Sequence, residues 1–429
     1  MIRIAYHTLG CKVNQYETEK IREALEGAGF ATVPFGSPAD AYVINTCSVT
    51  SVADGKSRAA VRRALRLNPE AFVVVAGCYA ELEPDEIRAI EGVDLVVPND
   101  EKDAIAERVA ARFGNIQYSI INIQSVLPRV RTRAVVKVQD GCDQFCSYCI
   151  VPHARSVKSS RPIQDVLAEI RALADFGYRE IVLTGIRLGA FGARSEVGGR
   201  KSEGSGLAEL VGAVSEVDGI ERVRLSSVEP WEVDEALLEA MRSPKVCRHL
   251  HIPLQSGDDE VLRRMNRPYT AARYREIVSR VRAAIPGIGI TTDVIVGFPG
   301  ETDEAFANTR ALIEEVGFSR LHVFRYSARK RTPAASMAGQ ISAEVKKRRA
   351  QNLIELGKIA MRRFAESMIG ETIDVLVERR ARRANHLTGF TDNYIEVSFA
   401  GDAALAGRVV AIRIVGLDQD GVIGYREGR

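Results

Sequence analysis

The stretch AVVKVQDGCDQFCSYC, residues 134–149, joins a strand-like run to three cysteines in the spacing C-x3-C-x2-C. Cys142, Cys146 and Cys149 lie on one loop, and three thiolates on a loop bind a soft metal. A structural zinc site normally has four ligands, and only His153 lies near enough to be considered as the fourth. Three cysteines suit a four-iron cluster, whose remaining iron is open to a chelating ligand. A zinc loop is the alternative.

Outward from this loop, the chain repeats a strand and an amphipathic helix. The six strand candidates lie at residues 134–139, 180–184, 222–225, 249–253, 289–296 and 320–326. Helical periodicity fills the intervals, for example at 162–175 and 303–316. Six such units predict an open, partial (β/α)6 barrel rather than a closed barrel of eight.

The first 120 residues also alternate strands and helices, which predicts a parallel α/β sheet. The strand candidates lie at residues 2–6, 41–45, 72–76 and 93–97. Cys11, Cys47 and Cys78 each follow one of these strands. We expect the three thiols to converge, because the carboxyl ends of parallel strands meet at one edge of a sheet. Gly10 and Gly77 would let the backbone approach a bulky cofactor.

Each of these cysteines taken alone could be a small buried apolar residue. Three of them at equivalent positions favour a second metal cluster instead. The pattern therefore predicts two sites with three cysteines each, one on the barrel loop and one at the edge of the N-terminal sheet.

Composition restricts the class of protein. The 429 residues are 46% hydrophobic and 27% charged, as in soluble globular proteins of two or three domains. No apolar run is long enough for a membrane span and no signal peptide is recognisable, so we expect a cytoplasmic location. Seven cysteines, an odd count, argue against a disulfide framework. With a net charge of only +3, any basic surface for nucleic acid must be local.

The cysteine loop and its surroundings resemble the radical S-adenosylmethionine superfamily. In that superfamily the C-x3-C-x2-C motif lies on the first βα loop of a partial barrel. An aromatic residue, here Tyr148, precedes the third cysteine. The resemblance implies a [4Fe-4S] cluster on Cys142, Cys146 and Cys149. Its open iron would bind S-adenosylmethionine and reduce it to a 5′-deoxyadenosyl radical.

Over the whole chain, the sequence is similar to the methylthiotransferase family within that superfamily. The similarity is carried by TLGCKVNQYET, VINTCSVT, VVAGCYAE, GCDQFCSYCIVPHAR, RLSSVEP, HIPLQSGDDEVLRRMNRPYT and TDVIVGFPGET. It implies an auxiliary [4Fe-4S] cluster on Cys11, Cys47 and Cys78. That cluster would hold a sulfur species, methylated by a second S-adenosylmethionine and delivered to C2 of an adenine. GCKVNQYET looks like the branch that modifies N6-threonylcarbamoyladenosine at tRNA position 37, next to the anticodon.

The same similarity places residues at the carboxyl ends of the barrel strands around S-adenosylmethionine. These cofactor-binding candidates are Tyr148, Thr184, Gly185, Ser227, Glu229, Gln255 and Gly297. Helix capping and turn formation are the alternative roles for such residue types. Arg155 and Arg161 flank the cysteine loop. Their side chains either bind a phosphate or carboxylate group, or they form a solvated basic loop. Cys247 and His251 are expected to be packed rather than catalytic.

The C-terminal residues predict a long charged helix at 342–368 and a small β domain. Its strands are expected near 373–378, 394–399 and 409–415. The resemblance implies a TRAM domain, an RNA-binding barrel, with tRNA rather than DNA as its partner. The RNA-binding candidates are Arg379, Arg380, Arg382 and Arg383. We expect Phe390 and Tyr394 to be exposed beside this basic run, although a simple solvated basic face is the alternative.

The expected domains are 1–120 for the N-terminal sheet, 128–365 for the radical core and 366–429 for the TRAM domain. Residues 119–131 are expected to form a linker, and 191–206 a mobile loop. Two residues depart from the family pattern. Arg325 stands where proline is usual and Arg331 where glycine is usual, so loop geometry near the substrate is expected to differ.

Three alternatives stay open at this stage. The same chemistry could act on isopentenyl-adenosine in tRNA or on a ribosomal-protein side chain. The chain could be a zinc protein that binds RNA without catalysis. It could also be a single-cluster radical enzyme whose N-terminal domain is only a scaffold. The radical chemistry would require a reducing electron donor and a sulfur source as further partners.

Overall fold

The structure is a computed structural model that describes residues 1–114, 131–192, 206–378, 386–419 and 421–426. The chain forms two compact units. The first comprises Met1–Arg129, Asp140–Lys158 and Ser327–Ala335, and the second Val130–Gln139, Ser159–Tyr326 and Ser336–Arg429. The C-x3-C-x2-C loop thus belongs to the unit that holds the N-terminal cysteines. The three-domain boundaries drawn from the sequence stay a prediction.

The first unit is built on a parallel sheet of five strands in the order β2-β1-β3-β4-β5. Its strands are β1 (Arg3–Thr8), β2 (Ala31–Val33), β3 (Ala41–Thr46), β4 (Phe72–Gly77) and β5 (Leu95–Val97). Its helices are α1 (Lys12–Gly27), α2 (Ser51–Leu67), α3 (Cys78–Leu82), α4 (Pro84–Arg88) and α5 (Ile105–Arg112), with a 3-10 helix at Asn99–Ala104. The parallel sheet is as predicted, but β2 was not recognised in the sequence.

Helices cover both faces of this sheet. Along β3, Val43 packs in the apolar cluster that contains α1 and α5, and Ile44 packs in the cluster that contains α2. Every residue of β3 is buried. A parallel sheet covered on both faces exposes only its strand ends, so functional groups gather at the carboxyl edge.

The second unit contains six parallel barrel strands in two groups of three, ordered β10-β9-β6 and β11-β12-β13. Single bridges at Val223–Val246 and Ser227–His251 join the groups. The strands are β6 (Ala134–Lys137), β9 (Glu180–Thr184), β10 (Arg222–Leu225), β11 (His249–His251), β12 (Gly289–Val296) and β13 (Arg320–Arg325). The open, six-stranded barrel predicted from the sequence is confirmed.

Helices and short strands follow the barrel strands in sequence. They are β7 (Gln139–Asp140), α6 (Val151–Ala154), β8 (Ser159–Ser160), α7 (Ile163–Asp175), α8 (Gly206–Ser215), α9 (Glu235–Ala240), α10 (Asp259–Arg264), α11 (Ala271–Ala284), α12 (Asp303–Val316) and α13 (Ala343–Glu366). Among the described residues, no helix is long and apolar enough to cross a membrane.

The C-terminal strands close into a five-stranded barrel in the order β14-β15-β16-β18-β17. They are β14 (Thr372–Val377), β15 (His386–Thr391), β16 (Glu396–Ala400), β17 (Val409–Leu417) and β18 (Gly421–Tyr425). The sequence predicted three of these strands and missed β15 and β18. Both contain a glycine, Gly389 and Gly424, which weakens a strand pattern in the sequence. In the fold, a side chain at Gly424 would approach Ile412 Cγ2 to 2.6 Å.

The expectation that Phe390 and Tyr394 are exposed for RNA is wrong. Both rings are half-buried and stack on each other at 5.2 Å between centroids. The guanidinium of Arg133 lies 4.8 Å from the Phe390 centroid, and that of Arg224 lies 4.6 Å from the Tyr394 centroid. These cation–π contacts attach the small barrel to the larger one. Arg379, Arg380, Arg382 and Arg383 lie outside the described residues, as do most of the predicted linker and mobile loop.

Candidate active site

Cys11, Cys47 and Cys78 converge at the carboxyl edge of the N-terminal sheet, as the sequence predicts. They follow β1, β3 and β4, which are neighbours in the sheet. The charge of each of Cys11 and Cys78 acts on the pKa of Cys47, so the three groups lie within electrostatic range. All seven cysteines lie in the described ranges and none forms a disulfide.

Helix N-termini surround this triad. Cys11 is the N-cap residue of α1, Cys78 begins α3, and Cys47 lies three residues before Thr50, the N-cap of α2. The positive end of a helix favours a thiolate. Desolvation opposes it and raises the pKa of Cys47 to about 11, and it also raises the pKa of the partly exposed Cys11. Metal binding at Cys11 and Cys47 therefore has to displace a proton.

Hydrogen bonds from the side-chain amides of Asn14 and Asn45 connect the cysteine loops to one another. Asn14 Nδ2 donates to the backbone oxygens of Leu9 (2.8 Å) and Thr46 (2.9 Å), just before Cys11 and Cys47. Asn45 Nδ2 donates to Asn14 O at 3.0 Å. Asn14 is buried, so losing its hydrogen bonds would leave two loop carbonyls without partners. The sequence analysis missed this role, although the polar NT pair that ends the apolar run of β3 was a signal.

The glycines before two of the cysteines are required by the close approach of a neighbouring strand. Gly10 has a φ of +97° and Gly77 a φ of +100°, values that disfavour any residue with a Cβ. A Cβ at Gly10 would lie 2.9 Å from Cys47 Sγ, and one at Gly77 would lie 2.6 Å from Asn45 Oδ1. The close approach is therefore to the neighbouring strand, which lets the loops meet.

We expect Gly77→Ala to lower the stability of the first unit by about 2–4 kcal/mol, because left-handed strain adds to the overlap with β3. Gly55→Ala is the matched control. Gly55 lies inside α2 with nothing within 4 Å of a Cβ, so alanine should stabilise by about 0.5–1 kcal/mol. Urea unfolding of the two metal-free variants measures both changes. Equal stability of the two variants would contradict the prediction.

The second triad lies on the loop that begins at Gly141. Gly141 has a φ of +76°, and a Cβ there would lie 2.6 Å from the Val157 carbonyl carbon. The Cys142 amide donates to Arg155 O at 3.2 Å, and the Cys149 amide donates to Cys146 O at 3.0 Å. The Gln144 amide lies 3.4 Å from Cys142 Sγ, a donor contact that suits a thiolate ligand.

The two triads are neighbours in the first unit. Cys78 packs in one apolar cluster with Leu82, Ile150 and Ala154, and Ile150 directly follows Cys149. No group of three His, Cys, Asp or Glu side chains within the described ranges is arranged around a single metal ion. A four-iron cluster binds each thiolate to a different iron, so it spaces its ligands more widely. Each triad supplies three thiol groups, the donor set that a four-iron cluster with one open iron takes.

Arg155 neither faces solvent nor is free for a cofactor, contrary to both roles considered from the sequence. It is 4% exposed and binds both carboxylate oxygens of Glu17 at 2.9 Å and Asp140 at 2.8 Å. Lys102 Nζ also pairs with Glu17 at 2.6 Å. Glu17 lies on the helix that Cys11 caps, and Arg155 follows the helix after Cys149. This buried ion network therefore joins the two cysteine loops.

The predicted cofactor residues of the second unit lie at the carboxyl ends of barrel strands. Thr184 ends β9, Ser227 and Gly297 follow β10 and β12 closely, and Gln255 comes shortly after β11. Gln255 has a φ of +63°, is buried, and its side-chain oxygen has no hydrogen-bond partner among the described residues. A strained residue with a buried free acceptor at a barrel mouth suits a ligand that donates hydrogen bonds.

Glu229 and Gly185 show the structural roles that the sequence left as an alternative. The Glu229 carboxylate pairs with Arg267 and forms a capping box with Glu232. A Cβ at Gly185 would lie 2.8 Å from Gln139 Oε1. Tyr148 is half-buried on the cysteine loop of the first unit.

Of the remaining singled-out residues, Cys247 and His251 are packed, whereas Arg325 and Arg331 are exposed. Cys247 is buried, and desolvation raises its pKa to about 12. His251 Nδ1 lies 2.9 Å from Thr291 Oγ1. Arg331 has a φ of +74°, which explains why glycine is usual there, and it donates to Leu82 O at 2.8 Å. Arg325 ends β13 in the second unit, where its side chain is exposed.

Three family descriptions match successive parts of the chain. Residues 3–98 match "Uncharacterized protein family UPF0004", residues 136–313 the radical SAM superfamily, and residues 366–416 the TRAM domain. A Bacillus subtilis protein named threonylcarbamoyladenosine tRNA methylthiotransferase MtaB is 40% identical over 97% of this chain and 94% of its own length. The chain belongs to the methylthiotransferase family of radical S-adenosylmethionine enzymes. It is therefore an enzyme of the transferase class, and the family implies iron–sulfur and S-adenosylmethionine cofactors.

Other relatives of this methylthiotransferase carry two kinds of name. A Thermotoga maritima protein with the same name as the Bacillus relative is 38% identical over 99% of this chain and 97% of its own. A Maricaulis maris protein named tRNA-2-methylthio-N(6)-dimethylallyladenosine synthase is 36% identical over the same shares. Among solved structures, the radical S-adenosylmethionine methyltransferase TsrM from Kitasatospora setae aligns with a TM-score of 0.57 at 16% identity, covering 78% of this chain and 75% of that one. This likeness supports the fold alone.

Proposed function

We propose that this methylthiotransferase inserts sulfur and a methyl group at C2 of N6-threonylcarbamoyladenosine at tRNA position 37. The observation that carries the proposal is the packing of two cysteine triads in one unit, with Cys78 against the residue that follows Cys149. Forming a C–S bond at an unactivated ring carbon has no acid–base route, so cofactors must supply the chemistry. The names of the 40% and 38% identical relatives and the stretch GCKVNQYET support the choice of nucleoside.

Cys142, Cys146 and Cys149 would hold one [4Fe-4S] cluster, and Cys11, Cys47 and Cys78 the auxiliary one. When bound, the clusters and S-adenosylmethionine supply the radical, the sulfur and the methyl group. The protein would also need a reducing electron donor and a sulfur source as partners.

The chain's own residues would orient these groups. The N-termini of α1 and α2 provide positive potential where the auxiliary thiolates carry negative charge. The unpaired Gln255 oxygen is available to accept a hydrogen bond from S-adenosylmethionine at the barrel mouth. The Arg155–Glu17 pair would keep the two cysteine loops at a fixed separation.

Nucleoside mass spectrometry of tRNA from a deletion strain tests the proposal. We expect the 2-methylthio derivative of N6-threonylcarbamoyladenosine to disappear, to return with the wild-type gene, and to stay absent with the Cys142→Ala variant. Persistence of that nucleoside would refute the substrate. Loss of the dimethylallyl derivative instead would assign the chain the other substrate named among its relatives. Zinc with little iron after anaerobic purification would refute the radical chemistry altogether.

A further inference from the structure

Helix α2 presents a continuous basic face on the first unit. Lys56, Arg63 and Arg66 lie on one side of the helix at spacings of seven and three residues, and Arg62 lies next to them. All four side chains are exposed. Buried residues such as Val61 and Ala64 occupy the opposite side. The basic face is therefore a surface and not part of the core.

Most cations of this basic face are not held in ion pairs. Asp54, the single acidic residue of α2, is buried and pairs with Arg329 at 2.6 Å. Across the described part of the chain, Lys56, Arg62 and Arg66 form no ion pair. Exposed arginines on other helices do pair with neighbouring acids, as Arg263, Arg273 and Arg362 do with Glu260, Glu276 and Glu366.

This concentration of positive charge contrasts with its surroundings. Residues 1–114 contain 17 acidic and 13 basic side chains, and five of those basic residues lie on α2. The chain as a whole has a net charge of only +3. Several basic side chains without ion pairs on one helix, in a segment that is otherwise acidic, indicate a negatively charged partner.

The basic face leads to the auxiliary cysteines. Helix α2 begins four residues after Cys47, and Ser57 Oγ donates to Cys47 O at 3.1 Å. Val52, 61% exposed, continues the same side of the helix toward that loop. At 1.5 Å per residue, the face from Val52 to Arg66 runs about 21 Å. This length spans several phosphates of a nucleic-acid strand.

We propose that the basic face of α2 binds the sugar–phosphate backbone of the tRNA substrate and directs the target base toward Cys11, Cys47 and Cys78. The inference rests on the proposed function. Arginine binds phosphate in a bidentate manner, and phosphate contacts contribute much of the affinity of proteins for nucleic acid. The first unit would thus contribute to tRNA affinity in addition to the TRAM domain.

The test compares two triple variants of the holoenzyme that remove equal charge. Lys56→Gln/Arg62→Gln/Arg66→Gln removes three of the four charges of the basic face, and Arg263→Gln/Arg273→Gln/Arg362→Gln removes three arginines that pair within their own helices. The Kd for tRNA carrying N6-threonylcarbamoyladenosine is measured by fluorescence anisotropy at several KCl concentrations. The first variant should bind at least about tenfold more weakly, with a slope of log K against log salt flattened by about 2–3. The control should change Kd less than about twofold.

Equal iron content and far-ultraviolet circular dichroism of the two variants check that both are folded. Wild-type affinity in the first variant overturns the inference and leaves the proposed function intact. Equal weakening in both variants also overturns it, because net charge alone would then explain the loss. Failure of the wild-type enzyme to bind this tRNA refutes the proposed function together with the inference.

Discussion

Replacing Cys47 with alanine is expected to lower the iron content from about eight to about four atoms per chain and to abolish methylthiolation, because a [4Fe-4S] cluster with only two remaining cysteines is lost. Cleavage of S-adenosylmethionine to 5′-deoxyadenosine should persist, because Cys142, Cys146 and Cys149 are unchanged. The measurements are iron analysis after anaerobic reconstitution, 5′-deoxyadenosine production and the modified nucleoside. Full nucleoside production by the variant would show that the N-terminal sheet is only a scaffold.

Cys247→Ala is the matched control for that variant. Cys247 is buried like Cys47, but it lies in the second unit, outside both triads. We expect unchanged iron content and product formation, with a stability loss of about 1 kcal/mol from the small cavity. A loss of four irons in this variant would indicate that general destabilisation, and not ligand removal, explains the Cys47 result.

Breaking the buried Arg155–Glu17 pair is expected to cost about 3 kcal/mol of stability in the first unit, at the lower end of the range for a buried pair, because Lys102 still pairs with Glu17 and Asp140 still pairs with Arg155. Arg155→Met and Glu17→Gln remove one member each. The double variant should lose less than the sum of the two single losses, because both single variants lose the same Arg155–Glu17 interaction. Hydrogen exchange of the β3 amides in the metal-free protein measures the local free energy of opening.

A solvent-exposed ion pair provides the control for the two single variants and the double variant. Arg263 and Glu260 lie at 2.6 Å, but their side chains are 72% and 61% exposed. Arg263→Met should change stability by no more than about 1 kcal/mol. A similarly small effect of Arg155→Met would mean that solvent reaches the Arg155 network. Its role in holding the cysteine loops together would then be refuted.

The sequence predicted those features that depend on local pattern. Cys11, Cys47 and Cys78 each follow an apolar strand, and the rule that parallel strands end at one edge was enough to bring them together. The six barrel strands were recognisable because each is a short run of β-branched and apolar residues between helices of clear periodicity. The family motifs then supplied the cofactors.

Long-range pairing was not predictable. Arg155 and Glu17 are separated by 138 positions, and nothing in either local sequence indicates that one neutralises the other. Phe390 and Tyr394 were expected to be exposed because aromatic residues beside a basic run are typical of RNA-binding surfaces. Their partial burial depends on Arg133, which directly precedes β6, and on Arg224 of β10, both distant in sequence. The local sequence does not determine the role of such residues. Their role depends on tertiary contacts of this kind.

The composition of the first unit from three separate stretches of chain has a consequence for biosynthesis. Its last stretch, Ser327–Ala335, follows most of the barrel in sequence and supplies Arg329 to the buried pair with Asp54. During translation, the contacts of the N-terminal sheet unit are therefore complete only after the barrel strands have left the ribosome. Cysteines at both triads are synthesised long before that point. The pair between Arg329 and Asp54 accordingly forms only after the barrel strands have been synthesised.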